Sequence, residues 1–156
     1  MITNAQTLGL IARTGTSNTV ASYGTTINAF LTTGDIQLEN FIAECYVAGT
    51  PQATTFQFEY TTPTGITATF SGTSGSLAGA VAGTTVAMQP GALATAPVIS
   101  SNGAGANTTP WGRMWIPSGS TIKILLGGTI AGNTSQWSFY SLYDAMQNGA
   151  TLQPLF

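Results

Sequence analysis

The chain has 156 residues, enough for one domain with its own core, and carries a net charge of -2 from three basic residues (Arg13, Arg113, Lys123) and five acidic ones (Asp35, Glu39, Glu44, Glu59, Asp144). Only 5% of it is charged, against about 25% in an ordinary soluble domain, so its surface is expected to be Thr, Ser, Asn, Gln and Gly. That composition excludes a phosphate-neutralising nucleic-acid footprint and a basic membrane-adhering helix, and the absence of His removes imidazole-based catalysis and nearly all zinc sites.

The opening stretch MITNAQTLGLIARTGT lacks a basic segment followed by an apolar core and a cleavage site, and no later apolar run nears the roughly 18 residues of a membrane span. Synthesis in a cytosol, with no membrane partner, is the expectation. Residues 1–18 alternate Thr and Asn with small apolar residues and are expected to form an extended N-terminal arm, followed by a single β-sandwich domain over residues 19–156. Deleting Met1 to Ser17 is then expected to leave the fold intact.

Thr26–Leu31 is the first predicted strand, closed by Gly34-Asp35. In Phe41–Ala48 the odd positions Phe41, Ala43, Cys45 and Val47 point inward and Glu44 outward. In Thr54–Thr61 the inward set is Phe56, Phe58 and Tyr60, with Gln57 and Glu59 facing solvent. After a Pro63-Thr64-Gly65 turn, Ile66, Ala68 and Phe70 are expected inside. Residues 71–109 are Gly, Ala, Ser and Thr-rich, with weak strands at Val86–Met88 and Pro97–Ser100 between long loops. Trp111–Gly128 reads as an aromatic strand, a Pro-Ser-Gly-Ser turn and a strand with Ile122, Ile124 and Leu126 inward. The last strand, Gln136–Tyr143, has apolar residues on both faces: Trp137, Phe139 and Tyr143 on one, Tyr140 and Leu142 on the other. The second face is expected to meet a partner subunit or a returning arm. Apolar residues near the end, Leu152, Pro154, Leu155 and Phe156, are also expected to dock. Eight or nine such strands with long crossing loops favour an all-β fold, a jelly-roll-like two-sheet antiparallel sandwich.

No catalytic, cofactor or metal set emerges. Cys45 is alone and, without His to activate it, reads as a buried structural thiol. Glu44 and Glu59 are the one conceivable glycosidase-type carboxylate pair, disfavoured because facing like charges destabilise a sheet. Asp35 with Glu39 makes a thin calcium site, Gly127-Gly128 reads as a turn, and the acceptor triplets at Asn107 and Asn133 follow from composition alone. Trp111, Trp115 and Trp137 are expected in the core or a subunit seam, in preference to a sugar-stacking platform. The candidate interface comprises Leu8, Leu10, Ile11, Arg13, Trp111, Trp115, Tyr140, Leu142, Leu155 and Phe156.

With its IPSGSTIKILLGG segment, read as a hairpin, and its closing aromatic strand QWSFYSLYD, this His-free, Gly, Thr, Ala and Ser-rich chain resembles the jelly-roll decoration, or cement, proteins of tailed-bacteriophage capsids. The resemblance implies a homotrimer on the outside of the virion, bound to the major capsid protein and bridging its neighbouring subunits, with no small-molecule substrate or cofactor. It carries over no individual contact residue. The alternative is a carbohydrate- or receptor-binding module of a phage fibre or tail. Buried tryptophan fluorescence insensitive to glycans, and loss of shell attachment on deleting Met1 to Ser17, are expected of a cement protein; sugar-quenched fluorescence and a dispensable arm are expected of the module.

Overall fold

The computed structural model describes residues 7–88, 95–100 and 113–156. Among them the chain forms β1 (Thr7–Arg13), a short 3-10 turn (Val20–Tyr23), β2 (Thr26–Thr32), β3 (Ile36–Val47), β4 (Thr54–Thr61), β5 (Thr67–Thr69), β6 (Thr85–Ala87), β7 (Val98–Ser100), β8 (Met114–Ile116), β9 (Thr121–Gly128), β10 (Gln136–Ala145) and β11 (Leu152–Pro154). All pairings are antiparallel, in two sheets. One runs β1-β10-β3-β6-β7, with β8 also on β3, and the other runs β11-β2-β9-β4-β5. The protein is an all-β, sandwich-like two-sheet fold. Its ladders nest, with β1 on β10, β2 on β9, β3 on β6 and β4 on β5.

The core forms where the inner faces meet, because alternate residues of each strand project to one side. Phe41 of β3 is its hub: its ring lies 4.9 Å from that of Phe58 on β4, 6.1 Å from Phe30 on β2, and 6.2 Å from Phe139 on β10. Trp137 packs 4.8 Å from Phe56 across the same gap, and its indole N–H donates to Ser135 Oγ. Of the expected inward sets of β4 and β9, Phe56, Phe58, Ile122, Ile124 and Leu126 are buried, while Tyr60 is only partly buried against the core.

Several expectations are corrected. Residues 7–13 of the expected arm, whose order depends on what it lies against, form an edge strand of the chain's own sheet. Past its end, Thr14 N–H and Ser17 N–H donate to the Phe139 and Trp137 carbonyls, while Thr14 Oγ1 and Ser17 Oγ accept from the same two residues' N–H groups. Deletion through Ser17 therefore strips a sheet edge. The segment 116–128 is not a hairpin: β8 pairs β3 in one sheet and β9 pairs β2 and β4 in the other. Its turn is satisfied by the β2–β3 corner, where Gly119 N–H donates to the Thr32 carbonyl, Thr32 N–H donates to the Ser120 carbonyl, and Ser118 N–H donates to Asp35 Oδ1. Gly119 has φ 76°, so this crossing requires its left-handed backbone. Strand β3 begins five residues earlier than predicted. Ile66 and Val47 are exposed, and Glu59, on the outer face as expected, is only 5% exposed.

Candidate interaction surface

The two outer faces of the sandwich differ. On the five-stranded sheet, the register sets Thr67, Thr61, Thr121 and Leu31 in one cross-strand row and Thr69, Glu59, Lys123 and Asn28 in the next. Lys123 Nζ lies 3.1 Å from Glu59 Oε1, which accounts for the burial of that glutamate. That face is polar.

The six-stranded sheet presents the opposite character. Because β10 turns Trp137, Phe139 and Tyr143 inward, its even positions Ser138, Tyr140, Leu142 and Asp144 face out. Strand β1 places Ile11 beside Leu142 and Arg13 beside Tyr140. The second of these rows continues through Ile42 on β3 and Ala87 on β6 to Val98 on β7. A third row brings Asp144, Gln37 and Trp115 together. Ile11 is 74% exposed, Trp115 56% and Leu142 38%, with Val98 and Tyr46 exposed as well. Large apolar side chains gathered on one face mark an interaction site more strongly than scattered ones.

Polar groups punctuate this face. Tyr140 donates its hydroxyl to Glu44 Oε2 at 2.6 Å, and the Arg13 guanidinium carbon lies 5.0 Å from the Tyr140 ring centroid. Burial pushes the Tyr140 phenol above its ordinary value, and the hydrogen bond to Glu44 adds to this. Arg113, just before β8, sets Nε 2.9 Å from Glu39 Oε1 and Nη2 4.0 Å from Asp144 Oδ2. The first contact is an ion pair without an aligned hydrogen bond, since the enclosed Oε1 has no hydrogen-bond partner. Asp144 Oδ1 accepts the Gly9 N–H at 2.7 Å, so this cluster ties β1, β3, β10 and the lead-in to β8 together. Burial raises the Glu39 carboxyl above its usual range. Arg113 works against this, and the Asp144 carboxyl reinforces it by charge and hydrogen bonding.

Of the predicted interface residues, Ile11, Arg13, Tyr140, Leu142 and Trp115 come together on this one face. Leu8 lies in β1, and Leu10 packs against the core instead. Phe156 is used within the chain, 6.1 Å from Phe139 and 6.4 Å from Tyr23, and its carbonyl accepts Gly15 N–H; Leu155, on the same segment, is exposed. Trp111 lies outside the described residues, as does Asn107. The tryptophans divide: Trp137 is core and Trp115 is surface.

The remaining chemical candidates separate. Glu44 and Glu59 stand in different sheets, which removes the carboxylate pair. Asp35 caps a turn and Glu39 pairs with Arg113, and among the described residues no group of three metal-ligating side chains forms. Asn133 is buried, with Oδ1 accepting from Ser135 N–H and Oγ–H and Nδ2 donating to Thr54 Oγ1, so its triplet is not presented as an acceptor. Cys45 is buried, its thiol pushed up to about 11 by desolvation and then by the Glu44 charge, which keeps it protonated and unreactive. Sequence reading missed Val98, Ser138 and Thr85, which share this face only because β6 and β10 flank β3. Comparison of the chain with protein-family models, curated proteins and solved structures finds no match.

Proposed function

We propose that the chain is a structural protein of a bacteriophage virion, made in the host cytoplasm, that adheres to the outside of the capsid and stabilises it by bridging neighbouring major capsid subunits, as a trimer. The observation that carries this reading is the inequality of the two outer faces: a Thr-rich polar face and, opposite it, an apolar face holding Ile11, Leu142, Tyr140 and Trp115. The exposed apolar side chains of that face supply the area that shape-complementary adhesion needs. The reading assigns no chemical step to the chain.

The strand order supports the same reading. Four nested antiparallel pairs, laid out as β1-β10-β3-β6 and β2-β9-β4-β5 with β7, β8 and β11 beside them, are compatible with the paired four-strand sheets of a jelly roll and support that reading of the sandwich. That is the architecture implied by the resemblance to decoration proteins.

The experiment is to mix the purified chain with capsids stripped of it, then sediment and image them. Co-sedimentation, density over junctions between capsid subunits and a raised capsid melting temperature are expected. A chain that stays in the supernatant at micromolar concentration overturns the proposal. Mass measurement at the same concentration is expected to give three times 16.0 kDa, and a monomer both free and on the particle overturns the trimer. One observation favours the carbohydrate module: Trp115 is exposed beside Gln37, an aromatic ring next to an amide. Quenching of its fluorescence by a glycan, with no binding to capsids, selects that alternative.

A further inference from the structure

Glu44 stands within the apolar face with polar neighbours of an unusual kind. Ser138 on β10 and Thr85 on β6 are its direct cross-strand partners, so the three side chains form a row about 5 Å apart. The Ser138 and Thr85 hydroxyls are enclosed, and neither has a hydrogen-bond partner. Glu44 Oε2 accepts the Tyr140 hydroxyl. Among the described residues the ion pairs are Arg113 with Glu39 and Asp144, and Lys123 with Glu59, so none of the described cations forms an ion pair with Glu44. Arg13, on the same face, is engaged over the Tyr140 ring.

Enclosed hydroxyls without partners are unfavourable and therefore uncommon. Here two of them flank a half-exposed carboxylate on an exposed sheet face. All three groups can accept a hydrogen bond, and the site supplies no donor beyond its own hydroxyls. Ile42 and Tyr140, in the adjoining row, offer an apolar bed for an alkyl stem. An entirely apolar partner would desolvate Glu44 without compensation and be rejected.

We propose that this row receives a basic side chain of the docking partner: a Lys or Arg nitrogen lies against Glu44 between Ser138 and Thr85, its stem over Ile42 and Tyr140. The proposal rests on the reading of this face as a docking surface. It identifies the partner's patch as apolar, with one cation to the side of the part that meets Tyr140 and Ile42.

Two measurements test it. In the first, the labelled full chain is titrated with agmatine, a guanidinium on an alkyl stem, and followed by NMR. Shifts centred on Glu44, Ser138 and Thr85 that vanish in Glu44→Gln are expected; no shift at these residues, or the same shift in Glu44→Gln, overturns the proposal. In the second, binding to capsids is measured for Glu44→Gln and Ser138→Ala. Binding at least about tenfold weaker is expected, with the melting temperature of Ser138→Ala unchanged or higher, since a hydroxyl without a partner contributes nothing to the fold. Wild-type affinity in both variants overturns this inference but leaves the capsid reading standing, whereas failure of the unaltered chain to bind capsids overturns that reading and leaves the agmatine result to decide the row.

Discussion

Glu39 carries the clearest pH signature in the protein. Its carboxyl is held above the ordinary range by burial and by Asp144, against the pull of Arg113. An acid whose folded value is raised holds its proton in the fold after losing it in the unfolded chain. Its contribution is therefore greatest below the unfolded value and declines as pH rises towards the folded one. Glu39→Gln cannot ionise yet can still donate to Asp144. The wild-type melting temperature, compared with that of Glu39→Gln between about pH 4 and 8, is expected to fall relative to the variant as pH rises. A constant difference across that range contradicts the account. From sequence Glu39 could be considered only as a thin calcium ligand beside Asp35, because its partners come from residues 113 and 144.

At the scale of the strand, β1 is the element whose role changed most between reading and structure. Its seven residues read as an arm because the polar run TGTSN follows them, although Leu8, Leu10 and Ala12 alternate as one apolar set. Its place is set from outside, by β10. Removing residues 1–17 is expected to cost more than about 4 kcal/mol, since the four hydrogen bonds made by Thr14 and Ser17, at about 1 kcal/mol each, are lost together with the β1–β10 ladder and the packing of Leu10 and Ala12, and to leave an unpaired edge on β10 that promotes aggregation. Urea titration of the truncated chain checks this; an unchanged midpoint contradicts it. Strands β4 and β9 were legible because their period of two is unbroken. The first half of β3 was not, since the register slips near Glu39: Ile36 and Leu38 face inward at even positions, then Phe41, Ala43 and Cys45 at odd ones. Asn40 Oδ1 accepts the Phe41 N–H at the slip. A bulge depends on the neighbouring strand, so one strand's pattern cannot announce it.

For the molecule as a whole, the unequal faces give a direct comparison. Ile11→Asp, or Leu142→Asp, is expected to abolish adhesion to capsids while changing stability by no more than about 0.5 kcal/mol, because both side chains are exposed in the free chain. Thr67→Asp on the opposite face is expected to leave adhesion unchanged. Equal losses from both faces contradict the assignment. The surplus apolar residues of β1 and β10 were visible in the sequence, but their union with Val98 and Trp115 was not, because it depends on which strands lie beside β3. The nesting of the ladders also has a bearing on synthesis. Thr7 pairs with Ala145 and Thr26 with Leu125, so a chain emerging from the ribosome can hold neither sheet together until its later strands are out. Until then its aromatic centre lacks its covering strands, and expression in cells poor in chaperones is expected to give inclusion bodies in preference to folded protein.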